Sequence, residues 1–144
     1  MVDELPPRDA WTATLRGWRG RCPHCGEGRL FRAFLKVVDH CPACGEAFHH
    51  QRADDAPAYF VILIVGHVVV PIVLAVETAF APPYWLHAAL WLPLTLAMSL
   101  SLLQPIKGVI VSLQWAYRMH GFNPFDAPAD DAIPAPAPAR QDGR

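Results

Sequence analysis

Four cysteines stand in two copies of one pattern, Cys22-Pro23-His24-Cys25-Gly26 and Cys41-Pro42-Ala43-Cys44-Gly45, and the chain has no others. Two residues between the members of a pair let both sulfurs face one ion. The glycine that follows permits a left-handed turn whose backbone N–H groups point at sulfur. Fifteen residues, Gly26 to His40, separate the pairs, which is the spacing of a four-cysteine zinc ribbon. Cys22, Cys25, Cys41 and Cys44 are therefore the candidate metal ligands. Zinc is the expected ion, and iron in a rubredoxin-like site is its alternative, because closely similar turns hold either. Four thiolates complete a tetrahedron and leave no vacant position for a substrate. His24, His40, His49 and His50 are accordingly read as surface residues.

The elements that must carry this site come from a chain of changing composition. Of 144 residues, 53% are hydrophobic and 17% charged, which is too apolar for an ordinary soluble domain. Nineteen consecutive residues from Ala58 to Val76, and eighteen from Leu86 to Leu103, contain no Asp, Glu, Lys or Arg. A bilayer core takes about 20 apolar residues per helix. The expected fold is an α-helical membrane hairpin of two transmembrane helices, spanning about 58–77 and 85–104, with a small N-terminal zinc ribbon. The first apolar run lies far from the N-terminus, behind a charged, cysteine-bearing segment, which is not the pattern of a signal peptide. The divisions predicted are a tail or short amphipathic helix at 1–18, the ribbon at 19–52, the hairpin at 53–105, an interfacial helix or helix continuation at 106–122, and a disordered Pro/Ala tail at 123–144.

Within these divisions, Trp11, Leu15 and Trp18 fall on one face of the short helix, which has either the ribbon or a membrane surface to rest on. Leu30, Phe31, Phe34, Leu35, Val37 and Val38 are the sizeable apolar residues read as available to the ribbon, so the metal has to supply much of its folding free energy. Between Trp11 and Lys36, six basic residues face one acid, Glu27. That balance suits anionic lipid headgroups, and nucleic acid ranks below them for a ribbon tethered beside a membrane. The loop between the spans has no Lys or Arg. Eight such residues precede the first span, and Lys107 and Arg118 follow the second, so both termini are expected on the cytoplasmic side. A reducing compartment also keeps the thiols free for metal.

Asp54 and Asp55 precede the first span, where aspartate caps a helix; paired carboxylates there also suit a cation or a partner's basic residue. His67 sits near mid-membrane, where an ionisable group is a functional candidate. Its structural alternative is one helix-to-helix hydrogen bond to a carbonyl freed by Pro71. Glu77 and His87 flank the short loop at similar depth; two ligands are too few for a metal within one chain, so simple pairing or hydration is expected. With His67, copies of them from neighbouring chains would form a haem, copper or proton site. Trp115 and Tyr117 read as interfacial aromatics.

The two Cys-Pro-x-Cys-Gly knuckles, the stretch Arg52-Ala53-Asp54-Asp55-Ala56-Pro57-Ala58-Tyr59-Phe60, Pro105-x-Lys107-Gly108 and the Gln114-Trp115 pair together resemble a bacterial family known as domain of unknown function 983. The resemblance covers about Arg21 to Phe122 and adds Lys107 to the candidate residues. It implies small inner-membrane proteins with a zinc-ribbon-like start and two spans. It implies no activity. Some relatives are encoded beside genes for cytochrome oxidase assembly, which points to a respiratory oxidase as the membrane complex served. The chain shows no nucleophile and base pair, phosphate loop or open metal site. The reading is thus a non-enzymatic accessory or assembly protein, self-associating or docked on a larger complex. Its alternative is a membrane-bound redox or metal-handling protein.

Overall fold

The computed structural model describes residues 6–123, in which three helices follow one another: α1 (Ala10–Trp18), α2 (Ala56–Phe80) and α3 (Tyr84–Ala116). The expectations for residues 1–5 and for the tail from Pro124 onward lie outside the described residues.

α2 and α3 pack as a hairpin, and both are long and apolar enough to cross a membrane. α2 ends at Ala81, whose left-handed backbone (φ 42°) returns its N–H to Glu77 O at 2.9 Å, and Pro82 and Pro83 complete the reversal. Val61, Val65 and Val69, four residues apart, form the buried face of α2 and meet Ile106, Trp91, Met98 and Leu102 of α3. The opposite faces expose Ile62, Leu63, Val70, Leu92 and Leu96, an apolar surface suited to lipid rather than water.

α3 is 33 residues long, about 50 Å by helical rise. It passes through Pro105, which keeps a helical φ and costs one backbone donor. Residues 106–116 therefore continue the second span and do not form a separate interfacial helix. Their buried side is Val111, Ser112, Gln114, Trp115 and Ala116, and it is covered by the N-terminal third of the chain.

α1 is capped by Asp9, whose carboxylate accepts from the Thr12 hydroxyl and from Trp11 N–H at 3.0 Å. The Thr12 bond and these N–H contacts hold that carboxyl below its usual range. Ala13 and Gly17 face α3. A side chain placed on Gly17 would strike Ser112 Oγ and the Gly108 carbonyl, and one on Gly108 would strike the Gly17 carbonyl. Backbone meets backbone at this crossing, which only glycine allows. Trp11, Leu15 and Trp18 turn outward, 71%, 44% and 49% exposed, so their shared face does not rest on the ribbon.

The ribbon itself is knuckle, hairpin, knuckle. Antiparallel bridges Arg21 with Arg29 and His40 with Ala47 flank the two cysteine turns, and Phe31 with Val37 closes the hairpin between them. Leu30, Phe31 and Val37 are buried as the sequence suggests, but Phe34 is half exposed. Phe48, near the ribbon's end, is fully buried with them, and the core is larger than the ribbon's own residues: Ala53, Val111, Trp115, Ala116 and Phe122 join it. Trp115 is thus no interfacial aromatic. It is 5% exposed, and its indole N–H donates to Glu46 Oε1 at 2.9 Å. The Arg8 guanidinium lies 4.3 Å from the ring centroid.

The buried Gln114 side chain clamps the link from the ribbon to α2. Its Nε2 donates to Arg52 O at 2.8 Å and its Oε1 accepts from Arg52 N–H at 3.1 Å. Replacing it, Gln114→Leu, leaves both Arg52 backbone groups without these partners and is expected to cost about 2 kcal/mol. Limited trypsin digestion checks this, with Arg52 cut faster in the variant than in the wild type.

Candidate metal centre

Each knuckle is built by the same three backbone features. Gly26 N–H bonds Cys22 O and Gly45 N–H bonds Cys41 O, both at 2.9 Å. Gly26 and Gly45 adopt φ of 77° and 76°, a left-handed conformation that favours glycine. Cys22 N–H bonds Gly28 O and Cys41 N–H bonds Glu46 O, both at 2.8 Å, closing each loop.

These turns bring the four sulfurs together, all within 4.8 Å of one another. Cys22 Sγ lies 3.8 Å from Cys44 Sγ, and Cys25 Sγ lies 3.8 Å from Cys41 Sγ. A tetrahedron with metal–sulfur bonds of about 2.3 Å has edges of about 3.8 Å, so the four thiols fit one tetrahedral ion. A disulfide needs about 2.05 Å. Both of these pairings run between knuckles, as a shared ion requires.

Backbone donors surround the sulfurs. The N–H groups of Gly28 and Glu27 hold the Cys25 thiol down to about 6, while burial pushes Cys22 and Cys44 upward. A cation bound by all four sulfurs would hold them as thiolates.

Three residues that positioning depends on carry no ligand signal of their own. Gly28 packs so tightly that a Cβ there would overlap Cys41 Sγ. Arg16 of α1 donates from Nη1 to Pro23 O at 3.0 Å and His24 O at 2.7 Å, fastening the first knuckle to the helix. Glu46 bonds Trp115 and lies 3.9 Å from the Arg8 guanidinium, fastening the second. His24 sits over Trp115 with ring centroids 5.8 Å apart, and His40 and His49 are exposed.

The remaining candidates are scattered. Asp55 occupies the N-cap position of α2, yet neither it nor Asp54 caps with its side chain. The Asp55 carbonyl accepts from Ala58 and Tyr59, and with Pro57 in the first turn that backbone bonding leaves both exposed carboxylates without a partner among the described residues. Lys107 is half-buried and makes no ion pair among the described residues. Glu77 and His87 do pair, at 2.8 Å. Trp91 Nε1 donates to His87 Nδ1 at 3.0 Å. An indole only donates, so Nδ1 accepts, and Nε2–H donates a hydrogen bond to the Glu77 carboxylate, the bonding of a neutral ring. His67 joins neither group. Its Nδ1 bonds Leu63 O in its own helix at 2.8 Å, one turn back, and it does not reach α3. The ring is exposed on the outer face of α2, beside a shallow groove formed with Ile62, Leu63, Gly66 and Pro71.

A family model described as protein of unknown function (DUF983) matches residues 31–115. The chain belongs to that family. The DUF983 match takes in the second knuckle, α2 and α3 as far as Trp115, and the first knuckle precedes it. It includes Gly108, Gln114 and Trp115, three residues that fasten the ribbon and α1 to the end of α3. Searches among curated proteins and among solved structures gave no significant match.

Proposed function

We propose that this DUF983 protein is a non-enzymatic accessory subunit of a larger membrane complex, with its ribbon on the cytoplasmic face of a bacterial inner membrane. The observation that carries the reading is His67. It is the twelfth of the 25 residues of α2, so it lies at the middle of the span, and it faces away from α3. The Leu63 carbonyl only accepts, so in the neutral ring Nδ1 holds the proton and Nε2 presents a lone pair outward. Lipid tails supply no donor to it, whereas a neighbouring helix does. Gly66, with open space where a side chain would stand, lets such a helix approach. A second copy fits this face less well, because two neutral rings of this tautomer would oppose lone pair to lone pair. A respiratory oxidase under assembly is the first complex to examine, on the gene-neighbourhood argument alone.

In this reading the four thiolates hold a structural zinc that rigidifies the exposed ribbon, and the closed site performs no chemistry. Exposure of Cys44 favours one second reading, an iron site passing electrons at the protein surface. A visible spectrum that bleaches on reduction would establish iron, and one zinc per colourless chain would exclude it.

Affinity purification in mild detergent tests the partner. The wild-type chain is expected to carry a defined complex, and His67→Leu to lose it by tenfold or more, about 1.4 kcal/mol, while retaining the ribbon's metal. A stable free monomer, or a variant that keeps its partner, would sink the proposal.

A further inference from the structure

Three basic residues that the metal site leaves unused, Arg19, Arg21 and Arg29, converge at one place. Beside α3, Trp18 and Arg19 at the end of α1, Arg21 and Arg29 flanking the first knuckle, and Gln104 and Pro105 line a pocket of about 510 Å³. No acid lines it. Arg21 donates to Glu27 O at 3.0 Å, but the guanidiniums of Arg19 and Arg29 are exposed and have no hydrogen bond or ion pair among the described residues.

Its level along α3 says what reaches it. Tyr84 to Leu103 is an uncharged run of twenty residues, about 30 Å by helical rise, which matches the hydrocarbon thickness of a bilayer. Gln104 and Pro105 follow at the depth where acyl chains give way to phosphates. α1 crosses α3 one turn further on, at Gly108, and turns Trp11, Leu15 and Trp18 outward as an unpartnered apolar stripe. An aromatic stripe with arginines beside it is the composition of a helix lying in the interface of an anionic membrane. Trp18 belongs to both stripe and pocket, which makes the two one surface.

We propose that this pocket binds the phosphate of an anionic phospholipid, with the outward face of α1 seated among the adjoining headgroups and acyl carbonyls. The inference rests on α2 and α3 crossing a membrane. Arg19 and Arg29 supply the charge, Arg21 is held by its carbonyl bond to frame the pocket, and Trp18 and Pro105 wall its apolar side.

Native mass spectrometry of the full chain, released from detergent micelles doped equally with phosphatidylglycerol and phosphatidylcholine, tests the site. The wild type is expected to retain phosphatidylglycerol over phosphatidylcholine by about thirtyfold, the preference two such cations give near an anionic surface. Arg19→Gln with Arg29→Gln should abolish that preference. Arg32→Gln with Lys36→Gln, an equal charge change elsewhere on the ribbon, should keep it. Millimolar inorganic phosphate should not displace the lipid. Absence of preference in the wild type, equal loss in both double variants, or displacement by phosphate, which would mean a soluble-anion site, overturns the proposal. The wild-type preference and the phosphate competition need no variant, so they decide even where a variant misfolds. A chain that alkaline carbonate washes from membranes refutes the spanning reading. A membrane-resident chain with no headgroup preference refutes the lipid site alone.

Discussion

Cys41→Ser is expected to leave the purified protein without a bound metal ion where the wild type holds one per chain, and to open the whole ribbon to protease. The structural ion in such a ribbon contributes roughly 10 to 16 kcal/mol at neutral pH, more than a core of this size supplies by burial. Cys41 is 3% exposed and sits against Gly28, so a hydroxyl there cannot move to recover a fourth ligand. Trypsin should then cut at Arg21, Arg29, Arg32 and Lys36, while the α2–α3 hairpin, whose core is a separate cluster, stays protected. A full complement of metal in the variant, or unchanged protection, would remove the ion from the account of the fold.

Gly108→Val is expected to have the second largest effect, and at a distance from any ligand. A Cβ at this position meets the backbone of Gly17, which no rotamer change relieves. Overpacking of this kind costs about 3 kcal/mol. α1 must lift off α3, which exposes Ala13 and Val111 and frees Arg16 from the carbonyls of Pro23 and His24. Weaker metal retention with the ligands intact, together with new cleavage at Arg16, is the expected pair of results. Removal of α1 by truncation should reproduce the weaker metal retention, since Arg16 goes with the helix. A variant with wild-type metal affinity would show that the helix crossing and the knuckle are independent.

Much of this was legible because the residues concerned announce themselves locally. Paired Cys-x-x-Cys knuckles with following glycines fix their own turns, and uncharged runs of about twenty residues fix the two spans. What stayed hidden depends on partners far away in the chain. Trp115 reads as an interfacial aromatic until Glu46 and Arg8 are found against it, 69 and 107 residues earlier. Gln114 looks like a stray polar residue in an apolar helix, and its purpose lies at Arg52. Gly28 carries no signal of its own, and Gly108 only its place in the Pro105-x-Lys107-Gly108 motif, which does not reveal the packing that needs it. The aspartates before α2 show the converse: a strong capping pattern is present, yet backbone bonding from Asp55 satisfies the helix start and leaves both side chains unused.

The docking of the ribbon against the far end of α3 sets an order of events during synthesis. The cysteines leave the ribosome first, but Val111, Trp115 and Phe122, which complete their shared core, are translated only after both apolar helices. Phe48 must wait for Phe122, its edge-on neighbour, through the 74 residues of elongation that part them. At ordinary elongation rates that is a delay of several seconds, during which the nascent thiols have time to capture their ion before any dock exists. Metal capture therefore need not await assembly, and the ribbon closes onto a mast that arrives last.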